Sequence, residues 1–125
     1  MNEVRVSNLD HIVLNVGDVE RSLAWYTGEL GLAGERVDEW KNGEAPFPSV
    51  RVNATTVIDL VAIERTGENM NHVCLVVDND LEELANSGRF AVVEGPVPRW
   101  GAQGQATSIY LYDPDQNLVE LRTYG

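Results

Sequence analysis

One cysteine, Cys74, occurs in 125 residues, so no disulfide can form within the chain, and the default compartment is the reducing cytoplasm. Its setting in the apolar run HVCLVV reads as core filler rather than as a nucleophile. Lysine is equally scarce. Lys41 stands alone, and nine basic residues face twenty acidic ones for a formal net charge of −11. A phosphate backbone or an anionic membrane surface is held by clustered Lys and Arg, so neither nucleic acid nor membrane is an expected partner. No apolar run approaches the roughly 20 residues that span a bilayer, and MNEVRVSNLD lacks the basic and apolar regions of a signal peptide. The expected molecule is cytoplasmic, with one domain's worth of chain and a solvated acidic surface.

Histidine is the scarcity that points somewhere. There are two, His11 and His72, and each opens a strand-like apolar run, HIVLNV and HVCLVV. After the first run, Asp18 sits where a helix N-cap belongs, VERSLAWYTGEL carries helical spacing, and Gly31 stops it. LAGERVDEW reads as a second strand and KNGEAPFP as a loop. SVRVNA and TTVIDLVAIE read as third and fourth strands about a tight turn near Asn53. The order then restarts: HVCLVV a strand, DLEELANSG a short helix, FAVVEGPVPRW extended, GAQGQ a loop, ATSIYLY a strand, DPDQN a turn, LVELRTY the last strand. Each half reads β-α-β-β-β.

Sliding the chain against itself confirms the repeat. At an offset of 61, His11 falls on His72, HIVLNV on HVCLVV, Leu23 on Leu84 and Asp59 on Glu120. Each half thus carries a histidine and, 48 residues later, a carboxylate inside an apolar strand. A lone strand histidine is ordinarily a hydrogen-bonded structural residue, and a lone strand carboxylate ordinarily faces water. Four such groups at matched positions shift the weight, because a buried carboxylate is costly unless paired or metal-bound. Two imidazoles with one or two carboxylates suit Fe(II), Mn, Ni or Zn. Strand parity puts each group on a single face of its strand, and a pseudo-twofold axis between the halves would gather all four. Zinc-finger and catalytic-triad chemistry lack the residues they need.

The blocks LDHIVLNVGDVERSLAWYTGELGL, NHVCLVVDN and IYLYDPDQNLVELRTY resemble the vicinal oxygen chelate superfamily of glyoxalases, extradiol dioxygenases, fosfomycin-modifying enzymes and bleomycin resistance proteins. EGPVPRWGAQGQATSIYLYDPDQNLVEL is similar to small glyoxalase-domain proteins in particular. The resemblance covers nearly the whole chain. It implies an α+β fold: a single domain over 1–125 made of two βαβββ modules, about 7–65 and 69–125, forming a U-shaped cleft with one divalent metal at its base. By position, His11, His72 and Glu120 match the ligands of metal-dependent members, and Asp59 falls where glyoxalases commonly have glutamate. Aspartate is one methylene shorter. It can bind directly, act through water, or leave a site of two histidines and one carboxylate suited to Fe(II).

The resemblance further implies a small oxygenated substrate, chelated by the metal, and proton transfer beside a carbonyl with Glu120 as first choice of base and Asp59 as second. A lyase or isomerase is the leading expectation, with Ni, Zn, Mn or Fe(II) as the metal. An Fe(II) extradiol-type dioxygenase is the alternative, and a non-catalytic small-molecule-binding resistance protein the second. Arg51, Trp40, Phe47, Trp100, Tyr110 and Arg122 are candidate substrate-contacting residues, each with core packing or a structural ion pair as the competing role. Small members commonly dimerise, so a homodimer is expected.

Overall fold

HIVLN carries its polar residues at its ends and VIDLV at its centre, and each forms a strand with two different faces. The computed structural model describes residues 5, 8–101 and 103–125. Ser7, the expected start of the first module, and Ala102 of the GAQGQ segment lie outside the described residues. The chain divides into two compact units, Met1–Arg65 and Thr66–Gly125.

In the first unit the order is β1 (His11–Asn15), α1 (Val19–Ala24), β2 (Ala33–Glu35), α2 (Val37–Lys41), β3 (Ser49–Arg51) and β4 (Val57–Val61). The sheet order is β1-β4-β3-β2, with β1 and β4 parallel and the other neighbours antiparallel. Asp18 caps α1 by accepting the Arg21 amide at 3.0 Å. The helix continues as a π-turn over Trp25–Glu29. Gly31, at φ +73°, ends it in the left-handed conformation a glycine adopts without strain. One face of the sheet is dry: Leu14, Val50, Ile58 and Leu60 are buried, as is Tyr26 after α1. Each such side chain removed from water contributes about 1.5–3 kcal/mol.

The second unit repeats the plan with β5 (Val73–Val76), α3 (Leu81–Asn86), β6 (Ala91–Gly101), β7 (Gly104–Tyr112) and β8 (Leu118–Thr123), in sheet order β5-β8-β7-β6. Again only the strands before and after the crossover, β5 and β8, run parallel. Its dry face holds Ile109, Leu111, Val119 and Leu121. The DPDQN turn closes on Asp113, whose carboxylate accepts the Asp115 and Asn117 amides at 2.9 and 2.8 Å. The fold is therefore α+β, two βαβββ modules in tandem. No helix among the described residues is long and apolar enough to cross a membrane.

Three local expectations need correction. RVDEW does not extend the second strand: Arg36 turns into the left-handed region at φ 56°, and Val37–Lys41 forms a short helix. GAQGQ, expected as a loop throughout, is strand at its ends, with Gly101 paired to Gly104 and the Gln103 amide donating to the Tyr124 hydroxyl at 3.0 Å. Cys74 is exposed rather than core filler, because it lies on the face of Glu120, opposite the dry face of the sheet.

Candidate functional site

The faces opposite the two dry ones carry the polar residues. On β1, β4 and β3 of the first module, pairing aligns Val13 with Asp59 and Asp59 with Ser49, and beside them His11 with Val57 and Val57 with Arg51. His11, Asp59, Ser49 and Arg51 therefore share one face. His11 Nε2 stands 3.9 Å from Asp59 Oδ2. In the second module, pairing aligns Cys74 with Glu120 and Glu120 with Tyr110, and then Arg122 with Ser108. His72, just before β5, places its Nε2 at 3.1 Å from Glu120 Oε1.

Both imidazoles are oriented in the same way. His11 Nδ1–H donates to Asp10 Oδ2 at 2.8 Å, and His72 Nδ1–H donates to Asn71 Oδ1 at 2.5 Å. Those acceptors hold a hydrogen on Nδ1 and turn Nε2 towards the carboxylate. The bond from Asp10 is the main reason the His11 pKa rises, with the Asp59 charge adding and desolvation opposing. Asp10 and Asn71 stand 61 residues apart, the same offset as the histidines, so they were within reach of the sequence comparison that found His11 and His72.

Both carboxylates are buried and anchored from behind. Ser49 Oγ donates to Asp59 Oδ1 at 2.5 Å, and Ser108 Oγ donates to Glu120 Oε2 at 2.6 Å. Each serine is backed by an arginine. Arg36 Nη2 donates to Ser49 Oγ at 2.7 Å and lies 3.6 Å from Asp59 Oδ1. Arg122 Nη1 lies 3.1 Å from Glu120 Oε2 and donates to the Trp100 carbonyl at 3.3 Å. Burial pushes the Glu120 carboxyl up, but bonds from Ser108 and Tyr110 and the charges of His72 and Arg122 outweigh it, leaving the pKa below its ordinary value.

The remaining candidates separate. Phe47 and Arg51 line a cavity of about 800 Å³ with His11 and Asp59. Arg51 is partly committed there, its Nε on Glu35 Oε1 at 2.6 Å. Trp40 lies elsewhere, lining a different depression of the first module with Asp18 and Val19. Tyr110 sits edge-on to His72 with ring centroids 5.9 Å apart, and both line a hollow of about 280 Å³ with Arg99 and Tyr112. Trp100 is 77% exposed at the end of β6. Arg122 is buried and spends its guanidinium on Glu120 and two backbone carbonyls. Sequence reasoning passed over Arg36, Ser49, Ser108 and Arg99, whose places depend on register and on one unusual backbone angle.

Among the described residues no group of three or more His, Cys, Asp or Glu side chains is gathered to hold a metal ion; within each module the donors come as a pair. The donor set nonetheless suits a divalent cation: imidazole Nε2 lone pairs, anchored carboxylate oxygens, and Nδ1 partners of the kind that orient metal-binding histidines.

A duplicated βαβββ fold with a histidine–carboxylate pair in each copy defines a class, and the comparisons agree. The pattern of the Glyoxalase/Bleomycin resistance protein/Dioxygenase superfamily matches residues 8–121, and the chain belongs to that superfamily. It is 30% identical to "Glyoxalase domain-containing protein RDO1" of Mycosarcoma maydis, over 98% of this chain and 71% of that one. It is 32% identical to the "Lactoylglutathione lyase" of Salmonella typhimurium, over 89% of this chain and 88% of that one. Among solved structures, an integron cassette protein from the mobile metagenome of V. cholerae matches with a TM-score of 0.77 and 29% identity, over 99% of this chain and all of that one.

Proposed function

We propose that the chain is a divalent-metal-dependent enzyme of the glyoxalase-like type, with His11, His72, Glu120 and Asp59 as the protein ligands of one Ni, Zn, Mn or Fe(II) ion. The observation that carries this reading is the repeated orientation of the imidazoles, Nδ1 held by Asp10 or Asn71 and Nε2 turned to an anchored carboxylate. The relatives' names add weight to a lyase reading. When bound, the metal supplies Lewis-acid stabilisation of the negative charge that develops on a carbonyl oxygen.

The chain's own residues do the rest. Glu120 accepts the proton from the carbon beside the carbonyl and returns it to the neighbouring carbon, giving an isomerase or lyase outcome. It is ionised at neutral pH, as an acceptor must be, and its lowered pKa makes it a weaker base than an ordinary glutamate. Ser108 and Arg122 hold Oε2, so Oε1 is the oxygen that moves the proton. Tyr110 and Tyr112 give the substrate an aromatic wall. Asp59 is the second candidate base.

The decisive experiment joins metal analysis of the purified protein to solvent deuterium exchange on S-lactoylglutathione and other 2-hydroxy carbonyl compounds. Bound metal, exchange, and loss of both in His72→Ala are expected. A protein that takes up no metal under any loading condition overturns the reading and leaves a non-catalytic small-molecule-binding protein.

A second reading has one specific observation behind it. Asp59 is already held by Ser49 and Arg36 and stands farther from its histidine than Glu120 does. A ligand set of His11, His72 and Glu120 suits Fe(II) and an extradiol-type dioxygenase. Oxygen uptake on catechols by the iron-loaded protein, without deuterium exchange, would select it. We also propose a homodimer, since β1 and β5 are edge strands that expose Val13 and Val76. Light scattering at the 13.8 kDa of one chain would reject it.

A further inference from the structure

The cavity of the first module gathers a large share of the chain's few basic side chains beside two aspartates. In a chain with nine basic residues and a net charge of −11, two arginines, Arg36 and Arg51, line this one pocket of about 800 Å³. Both face the same space as His11 and Asp59. They are held differently. Arg51 is a fixed charge, its Nε on Glu35 and its Nη1 on the carbonyls of Asn53 and Ala54. Arg36 is half exposed and, among the described residues, meets Ser49 and Asp59 through Nη2.

Arg36 also holds a backbone that arginine rarely adopts. Its φ of 56° lies in the left-handed region, where bulky residues are uncommon and glycine or asparagine would sit more easily. That conformation starts α2 and swings the side chain back over Ser49 and Asp59. Strain of this kind gathers at ligand-binding positions because the arrangement is kept for what the side chain does.

We propose that this pocket binds a carboxylate group of the substrate, received by the open edge of the Arg36 guanidinium with Arg51 as a second, fixed positive charge. The planar fork of a guanidinium matches the two oxygens of a carboxylate. A single negative charge suits the wall, because Asp10 and Asp59 line the same pocket and a dianionic phosphate would meet both. The inference deepens the proposed function, on which it rests for the substrate's other end. It names that substrate as a small oxygenated carboxylic acid.

The test uses the full-length protein, as purified and after chelator treatment, with propionate, inorganic phosphate and 1-propanol as probes. Binding is read from the arginine Nε–H resonances and the Arg36 and Val37 amides, while metal content is measured on the same samples. Propionate should shift these signals saturably, 1-propanol should not, and phosphate should bind more weakly. Arg36→Gln should weaken propionate at least tenfold, and Arg36→Lys, which keeps the charge but loses the fork, by less. Thermal unfolding of both variants verifies that they fold. Equal propionate binding in Arg36→Gln, equal shifts with 1-propanol, or tighter phosphate than propionate each overturns the assignment. Because the readout survives chelation, a protein without metal would refute the enzyme reading and leave the carboxylate site standing. A metal-loaded protein blind to propionate would do the reverse.

Discussion

Arg122 Nη1 stands 3.1 Å from Glu120 Oε2, with both side chains buried on neighbouring positions of one strand face. Two residues apart on β8, they form an ion pair that the strand itself sets. Removing one partner leaves the other as an uncompensated buried charge. Arg122→Met should therefore lower the stability of the metal-free protein by about 3–5 kcal/mol in urea denaturation. The double variant Arg122→Met with Glu120→Gln should recover part of that loss.

Ser108→Ala removes one of the donors that hold the Glu120 carboxylate. The expected cost is about 1–3 kcal/mol, the usual penalty for a buried acceptor deprived of its donor. The pH dependence gives a second readout. Glu120 has a folded pKa below its unfolded one, so its contribution to stability is present above the unfolded value and is lost as pH falls through the folded value. Without Ser108 that acid-side loss should begin at higher pH, as carboxyl resonances of metal-free protein would record.

Asp10 and Asn71 orient the imidazoles without themselves being ligands. Asp10→Ala and Asn71→Ala should weaken metal affinity about 10- to 100-fold each, by competition with a chromogenic chelator. Asp10→Asn keeps an acceptor and should lose less. Unchanged affinity in both alanine variants would mean that the Nδ1 bonds have no part in holding a cation.

Cys74 tests the electrostatics of the second module from outside. Desolvation and the nearby Glu120 charge push its thiol up to about 11, although the residue is exposed. Iodoacetamide should react slowly at pH 8, with a rate that keeps climbing beyond pH 9.5 or so, because the thiolate is the reactive form. Glu120→Gln should move that profile to lower pH.

The sequence and the structure meet most closely where a periodic signal exists. His11, Asp59, His72 and Glu120 were legible because one ungapped shift of 61 aligns them, and duplication writes the same face twice. Ser49 and Ser108 were not, since they lie 59 residues apart and reach their carboxylates through different registers: Ser49 is opposite Asp59, whereas Ser108 is opposite Arg122. Register between antiparallel strands is set by turns and bulges, and β6 and β7 slip twice between Val92 and Val97. The left-handed Arg36 was out of reach for another reason: nothing in ERVDEW marks a φ that glycine usually signals. Arg122 read as a substrate-contacting candidate because alternation in LVELR puts it on the face of Glu120, and only the bond pattern shows its guanidinium spent on Glu120 and backbone carbonyls.

The two arginines that back the serines are unequal, and that inequality bears on how such a protein could change through descent. Arg122 is buried among its partners, so almost any replacement there is purged for instability before its effect on chemistry can be seen. Arg36 is half open to solvent, so its pair with Asp59 is partly screened and its loss costs folding less than the loss of Arg122 would. A lineage could therefore exchange Arg36 at less cost to folding than Arg122 and so try new substrates. One copy of the duplicated plan carries the heritage, and the other is free to experiment.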